Sequence, residues 1–208
     1  MFLLLLPGSM KEELYDRFIA SLLEACPIND EIIRFIRQYL LVKKFPKGTH
    51  LVSIGKTADK LFYVGKGLVR RYYYLDGKEV TSGVAAEGDM VLSIQSFLNQ
   101  IPSSETIELM EDSELLFLSY PDLQRLYYKY PVTNVIGRII CEKYLVIFDE
   151  RIRSLRMLNA EERYYHFCKQ YPTICARMPL KHIASYLGLS RFTLSRVRGQ
   201  KIKTGLLD

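Results

Sequence analysis

The chain has 208 residues, of which 49% are hydrophobic and 25% are charged, and its formal net charge at pH 7 is +6. This length allows one large domain or two small ones, and the composition is that of a globular protein rather than a disordered or fibrous one. The sequence contains no apolar run of about 20 residues, which excludes a membrane-spanning helix.

The first nine residues contain a short apolar segment, Phe2 to Leu6, followed by Pro7-Gly8. The segment lacks the basic flank and the roughly 7 to 15 apolar residues of a signal peptide. We therefore expect residues 1–9 to lie outside the fold, with Met10 available as a start, and the sequence favours a cytoplasmic protein.

Charge is distributed unevenly along the chain. From residue 151 onward there are 12 Lys and Arg against 3 Asp and Glu, a net of +9, whereas the first 150 residues carry 17 and 20, a net of −3. A basic third behind a mildly acidic remainder indicates two parts with different partners, the basic part facing phosphates. An uneven solvated surface would give the same numbers, so charge alone leaves both interpretations open.

Cysteines and histidines form no metal-binding or catalytic pattern. The cysteines are Cys26, Cys141, Cys168 and Cys175. Because no pair has the spacing of a zinc knuckle or a redox dithiol, we predict buried free thiols. The histidines are far apart in sequence, which disfavours a cupin-like metalloenzyme. With no Walker loop, nucleophile elbow or dinucleotide fingerprint either, we predict that the protein is not an enzyme and carries no metal or cofactor.

Predicted elements begin with amphipathic helices over residues 11–24 and 28–40. From Val42 to Leu118 the pattern changes to short β-rich runs separated by turn residues. Asp76-Gly77 between two such runs predicts a hairpin, because a type I′ turn needs positive φ at both central positions. Regular turns with alternating strands predict an antiparallel sandwich, roll or barrel.

Helical periodicity returns with a short helix over 122–128 and a long helix over 131–156. The long helix is apolar on two sides and so must meet two partners, the β-domain and a second copy of itself. The predicted dimer contacts are Ile136, Ile140, Tyr144 and Ile147. One long core helix within a monomer is the alternative. The Asn159 to Glu162 capping box then opens a helix that ends near Gln170.

Residues 180–199 predict two short helices that cross at a steep angle. The inner positions are Ile183, Ala184, Leu187, Leu189, Leu194 and Val197. Ala184 is small where the helices touch, Gly188 supplies the left-handed turn, and Ser190 caps the second helix. Six positions of suitable size in this window indicate a DNA-binding helix-turn-helix.

In such a motif the second helix enters the major groove and the first crosses the backbone. The predicted base contacts are Ser190, Arg191, Phe192, Ser195 and Arg196. The predicted phosphate contacts are Lys181, Ser185, Arg198 and Lys201. An arginine fork bonds both O6 and N7 of guanine. A helical hairpin that only packs, with its arginines in solvent, is the alternative.

The order of these parts resembles the catabolite-activator/fumarate–nitrate-regulator (Crp–Fnr) superfamily of bacterial transcription factors. The resemblance covers roughly residues 28–203, and the motifs that carry it are Phe45-Pro-Lys-Gly48, Leu61-Phe62-Tyr63-Val64 with Gly67, Glu87-Gly88-Asp89, and Ile183 to Arg196. It implies an α+β fold with an antiparallel jelly-roll domain of the cyclic-nucleotide-binding type, a long dimerisation helix and a C-terminal winged-type helix-turn-helix domain.

The domain boundaries that the resemblance implies divide the chain into four parts. These are an N-terminal segment and helix (1–27), a β-roll effector-like domain (28–130), the dimerisation helix (131–156) and the DNA-binding domain (157–208). The resemblance further implies a homodimer that binds double-stranded DNA, with recognition helices about 34 Å apart. RNA polymerase and an unknown small-molecule effector are further candidate partners.

The phosphate cassette departs from the pattern of cyclic-nucleotide-binding members. Leu92-Ser93 replaces the expected Gly-Glu, Ser103-Ser104 replaces Arg-Ser, and residues 88–115 contain no Lys or Arg. A buried cyclic phosphate needs an arginine fork against its charge. We therefore predict a degenerate site that binds neither cyclic AMP nor cyclic GMP. The alternative is a ligand-gated regulator whose roll binds another small molecule.

The chain also lacks the residues of other sensor types in this family, and its recognition helix departs from the family pattern. An iron–sulfur sensor would need an N-terminal cysteine cluster, yet only Cys26 precedes the roll. For a haem sensor, His50 is the only histidine within the roll. Phe192 stands where many members have a Glu that can accept from cytosine N4. The target sequences of better-known relatives are therefore not expected to apply.

Overall fold

The computed structural model describes residues 8–204, and side chains over 11–199. The helices are α1 Gly8–Ala25, α2 Asp30–Tyr39, α3 Ile94–Asn99, α4 Tyr120–Lys129, α5 Val132–Met157, α6 Ala160–Gln170, α7 Pro172–Arg177, α8 Leu180–Tyr186 and α9 Arg191–Thr204. The strands are β1 Leu41–Phe45, β2 His50–Val52, β3 Lys60–Lys66, β4 Val69–Leu75, β5 Lys78–Ala85, β6 Met90–Val91, β7 Thr106–Leu109 and β8 Ser113–Ser119.

The strands form a β-roll of two four-stranded antiparallel sheets. One sheet has the order β1-β8-β3-β6 and the other β2-β7-β4-β5. The predicted hairpin joins β4 to β5, and Asp76 and Gly77 have φ of 49° and 72°, which confirms that both turn positions are left-handed. Apolar side chains from both sheets fill the space between them and are almost inaccessible to solvent: Val64, Val69, Ile107, Leu109 and Leu115.

Helix α1 packs on the roll and contributes to its core. Leu14, Phe18 and Leu22 are buried there. The hydroxyl of Tyr15 donates to the Leu40 carbonyl at 2.6 Å, which ties α1 to the end of α2.

No described helix is long and apolar enough to cross a lipid bilayer.

The C-terminal helices α6 to α9 form a compact unit, which we call the head. The capping box that opens α6 is present: the Asn159 side chain accepts from the Glu162 N–H, and Glu162 accepts from the Asn159 N–H. Among the described residues no strand follows the second helix of the predicted motif, because α9 continues to Thr204. The described part of the head therefore contains a helix-turn-helix without a wing.

The prediction of four buried free thiols is wrong. Cys168 and Cys175 form a disulfide with their Cα atoms 5.2 Å apart, and the free Cys141 is exposed. The reason is a chain reversal that sequence periodicity does not show. Helix α6 ends at Gln170, and Tyr171-Pro172 turns the chain directly into α7, so the two cysteines come to face each other.

Candidate nucleic-acid interface

The helix-turn-helix is built as its sequence predicts. Ile183 and Ala184 of α8 are each 1% exposed and Leu194 of α9 is fully buried, so the two helices share one packed interface. Gly188 has φ of +66°, the left-handed conformation that the turn requires. Ser190 caps α9 by accepting from the Thr193 N–H at 3.0 Å.

The outer face of α9 is open to solvent and basic. The predicted base-contact residues all lie exposed there or at its start, namely Ser190, Arg191, Phe192, Ser195 and Arg196. Phe192 is 79% exposed, far more than an aromatic ring with a purely structural role. Residues 163–204 contain no Asp or Glu, so no carboxylate on this stretch offsets the arginine charge. This face has the charge and the shape to meet a phosphate-lined groove.

The predicted phosphate contacts are placed differently from one another. Lys181 and Arg198 are exposed, whereas the hydroxyl of Ser185 accepts from the Thr81 N–H of β5 at 2.9 Å. Ser185 is therefore engaged by the roll in this arrangement and is not free for a phosphate. The side chain of Lys201 lies outside the described residues.

The head is docked on the outer face of the β4–β5 sheet. Leu68 and Ala86 of the roll are buried within the hydrophobic cluster of the head. Arg151 of α5 donates to the Ser82 carbonyl and stacks on the Tyr186 ring, with 3.9 Å between its guanidinium carbon and the ring centroid. This interface holds α8 against β5.

Arg177, at the end of α7, makes the main polar contact between the head and the roll. One guanidinium nitrogen donates to both Glu87 oxygens at 2.9 and 3.1 Å, and the other donates to the Gly67 carbonyl at 2.8 Å and to Glu111 at 2.9 Å. Burial alone would raise the pKa of Glu87, but the hydrogen bonds from Arg177 and from the Gly67 N–H outweigh it and lower the pKa. We call this set of contacts the Arg177 clamp. Sequence analysis missed it.

His182 of α8 is buried under β5, close to Arg70 of β4. Arg70 is 2% exposed and pairs with Glu79 at 2.7 Å. Burial of the imidazole, followed by the charges of Arg70 and Lys181, lowers the pKa of His182 to about 4, with Glu79 opposing the shift. His182 is therefore a neutral interface residue at pH 7.

The cassette region of the roll is closed by its own serines. The hydroxyls of Ser93 and Ser103 lie 2.9 Å apart, and Ser103 also donates to the Glu105 carbonyl at 2.7 Å. Ser96 accepts from the Ala58 N–H at 2.8 Å and donates to the Ile101 carbonyl at 2.5 Å. These hydroxyls satisfy each other and the backbone, so their hydrogen-bonding groups are already used within the protein.

A basic side chain does reach this region, from outside the stretch that the sequence analysis considered. Arg71 of β4 lies 3.7 Å from a Glu105 oxygen, and Ser82 donates to the other oxygen at 2.9 Å. The Glu105 carboxylate therefore occupies the position beside Arg71 that an anionic ligand would need. Arg71 was missed because strand pairing, not sequence proximity, brings it to the cassette.

The residues predicted for the dimer contact face their own roll. Ile136 is 5% exposed and Ile140 packs against the roll core. The Tyr144 hydroxyl accepts from the Met90 N–H at 2.8 Å, and burial, then the nearby Asp89 charge, raise the pKa of Tyr144 to about 12. Ile147 is half-buried. Their role in a dimer stays a prediction, but most of their surface is used within one protomer.

A different apolar stripe of α5 is partly exposed to solvent. It repeats at alternating spacings of four and three residues and consists of Cys141, Leu145, Phe148, Ile152 and Leu155. Leu145 is 67% and Ile152 is 54% exposed. Alternating spacings of four and three are those of a two-helix seam.

Comparisons with known proteins agree with this architecture. Residues 42–130 match the cyclic nucleotide-binding domain family. A comparison with curated protein sequences gives no match. The roll is therefore similar to a cyclic nucleotide-binding domain over residues 42–130.

Solved structures extend the likeness to more than four fifths of the chain. The c-di-GMP-responsive regulator CLP of Xanthomonas campestris gives a TM-score of 0.66 at 20% identity, covering 86% of this chain and 95% of its own. FixK2 of Bradyrhizobium japonicum gives 0.68 at 20% identity over 81% and 87%. A regulator from Eubacterium rectale assigned to the Crp/Fnr family gives 0.65 at 21% identity over 87% of both chains. The chain has the fold of the Crp–Fnr transcription regulators.

The low pKa of His182 predicts an acid-dependent loss of stability. The unfolded chain takes up a proton near pH 6.5 and the folded protein only near pH 4, so stability falls as the pH drops through that window. We expect His182→Gln to remove about 2 kcal/mol of the fall in unfolding free energy between pH 7 and pH 5. Urea unfolding at both pH values measures it. The exposed His166 offers the matched control, His166→Gln, which should leave the fall unchanged.

Proposed function

We propose that this protein is a homodimeric, sequence-specific DNA-binding transcription regulator whose roll binds no cyclic nucleotide. The observation that carries the proposal is the exposed basic face of α9, presented by a correctly capped helix-turn-helix. A helical hairpin that served only packing would not need a 79%-exposed Phe192 on the same face as the exposed Arg191 and Arg196.

Base readout is assigned to the first two turns of α9. Arg191 and Arg196 carry planar forks that match O6 and N7 of guanine, and Phe192 offers an apolar surface to a thymine methyl group. Lys181 and Arg198 flank this face and fit phosphate oxygens, which set the register without reading sequence. Ser185 joins them only if α8 leaves β5.

Dimerisation is assigned to the exposed stripe of α5 rather than to the residues that pack on the roll. In a parallel pair of helices, residues of such a stripe meet their counterparts across the two-fold axis. The two Leu145 side chains would then bury each other, and the two exposed Cys141 thiols would lie close together. A two-fold dimer is also what a pair of recognition helices needs to bind a palindromic site.

The lack of cyclic-nucleotide binding is supported by the closed cassette. The serines are mutually hydrogen-bonded, and Glu105 sits beside Arg71. A cyclic phosphate would have to displace a carboxylate and would then face the other acids of residues 105–114. Like charge at this distance opposes binding.

The alternative of a ligand-gated roll receives little support from the cavities. An apolar cavity of about 70 Å³ lies between α1, α2, β3, α4 and the start of α5, outside the space between the two sheets. An engineered cavity of about 150 Å³ is what holds a benzene molecule. The cavity is therefore too small for a typical effector in this conformation.

Removal of the base-reading arginines is the first test. We expect Arg191→Ala with Arg196→Ala to weaken binding to a duplex selected from a random pool by at least about 30-fold, because two forks worth about 1–3 kcal/mol each are lost. Gel-shift titration measures the affinity and thermal unfolding shows that the fold is kept. Lys169→Ala, an exposed cation on α6, is the matched control. Full-strength binding by the double variant would show that α9 is not the recognition helix.

The dimer contact is tested by a charge on the stripe. Leu145→Glu should weaken dimerisation by at least 100-fold, because it places two carboxylates at a buried apolar seam. Sedimentation equilibrium measures this, and Tyr128→Glu is the control because Tyr128 of α4 is 91% exposed. Mild oxidation should also link the two Cys141 thiols of the wild-type dimer. A dimer unaffected by Leu145→Glu would assign the interface elsewhere.

Calorimetric titration tests the degenerate roll. We expect no heat of binding for cyclic AMP or cyclic GMP at micromolar protein concentration, because the cassette offers no free cation. Glu105→Gln is the informative variant: it frees Arg71 and should raise any residual affinity. Micromolar binding of either nucleotide to the wild-type protein would overturn this part of the proposal.

A further inference from the structure

The second cysteine of the disulfide in the head, Cys175, lies two residues before Arg177, which joins the head to the roll. We propose that Cys168–Cys175 is a reversible redox site: the disulfide holds α7 so that the Arg177 clamp keeps α8 on β5, and its reduction by a cellular dithiol releases the head for DNA. The inference rests on the proposed function, since release of the head matters for DNA only if the head binds it.

The surroundings of the disulfide are those of a bond that a reductant can reach. Both cysteines are half-buried rather than sealed in the core. A protein that binds DNA works in a reducing compartment, where disulfides are usually transient and redox-sensing rather than structural. The Tyr164 hydroxyl lies 3.8 Å from the Cys175 sulfur, where it can stabilise a thiolate. Cys175 is therefore the better leaving group.

Helix α7 depends on its tertiary contacts because it is short. It has six residues, far fewer than an isolated helix needs to be stable in water. Three contacts hold it: Ile174, which is 2% exposed in the head cluster, the disulfide to α6, and Arg177 on the roll. Loss of the covalent contact leaves Arg177 on a short segment anchored by two buried side chains, Ile174 and Met178.

The Arg177 clamp has a direct consequence for the predicted DNA-binding surface. While it is closed, the Ser185 hydroxyl is bound to the Thr81 N–H, and α8 is covered by β5. The first helix of a helix-turn-helix crosses the DNA backbone. The closed clamp therefore withholds α8 from DNA while leaving α9 exposed, and opening it adds phosphate contacts.

The redox step balances as an ordinary thiol–disulfide exchange. A thiolate of the dithiol attacks the Cys168 sulfur, the bond between the two cysteine sulfurs breaks, and the Cys175 thiolate leaves and takes up a proton. The second thiolate of the dithiol then attacks the mixed disulfide and releases Cys168, which is also protonated. The protein gains two electrons and two protons, and the dithiol becomes a disulfide.

Hydrogen–deuterium exchange on the full-length protein tests the clamp without using DNA. After mild oxidation, mass spectrometry should find Cys168 and Cys175 linked, and dithiothreitol should convert them to thiols. On reduction, amides of residues 172–186 and the Thr81 amide should exchange at least tenfold faster, while strands β3 and β8 should not change. Equal exchange in the two states would overturn the proposal, as would four free thiols after oxidation.

Matched variants separate the disulfide from the other thiols and from a simple loss of stability. Cys168→Ser with Cys175→Ser should exchange like the reduced protein in both conditions. Cys26→Ser with Cys141→Ser should keep the full redox response. Arg177→Gln leaves the disulfide in place but should give fast exchange even when oxidised. Slow exchange in oxidised Arg177→Gln would show that the clamp does not transmit the redox state.

Gel-shift titration with a random-sequence duplex adds the DNA readout. Reduction should raise the affinity at least fivefold in the wild type and leave it unchanged in the double serine variant of Cys168 and Cys175. If neither state binds DNA while exchange still responds to reduction, the proposed function fails and the redox site stands. If both states bind DNA equally, control of DNA binding by the disulfide is refuted.

Discussion

Packing of the head on the β4–β5 sheet is the constraint on which the rest of the structure depends. Leu68 and Ala86 of the roll belong to the hydrophobic cluster of the head, so the contact between the two parts has an apolar centre. Around this apolar centre, Arg177 and Arg151 place guanidinium groups on roll carbonyls and carboxylates. The apolar centre supplies the affinity between the two parts and the arginines fix their orientation. The positions of α8 and α9 follow from that orientation.

Local sequence signals predicted the elements that depend on neighbouring residues. The Asp76-Gly77 turn, the Asn159–Glu162 capping box and the Gly188 turn each need only a few adjacent positions, and each is present. The helix-turn-helix was predictable for the same reason, since its apolar spacing lies within 20 residues. Helices α3 and α7 escaped prediction because six residues carry too little periodicity to stand out.

Contacts between distant residues could not be predicted in this way. Arg177 meets Glu87, Glu111 and Gly67 across 90, 66 and 110 residues of chain, and no pattern in one sequence links them. Arg71 reaches Glu105 through the pairing of β4 with β7. Residues 88–115 by themselves contain acidic residues and no Lys or Arg. The packing of α5 could not be predicted for a related reason. Periodicity shows that two apolar sides exist, but only the fold decides which side meets the roll.

The shared cluster of Leu68, Ala86 and the head has a consequence for how the protein unfolds. If the core of the head consisted only of its own side chains, the head would unfold as a separate unit with its own midpoint of thermal unfolding. Here the head completes its core with roll side chains, and the roll covers its outer sheet with the head. The two parts therefore form one cooperative unit, in which a cavity made at Leu68 lowers the stability of both. Such a protein functions by partial opening of one cooperative unit rather than by independent motion of two separate domains.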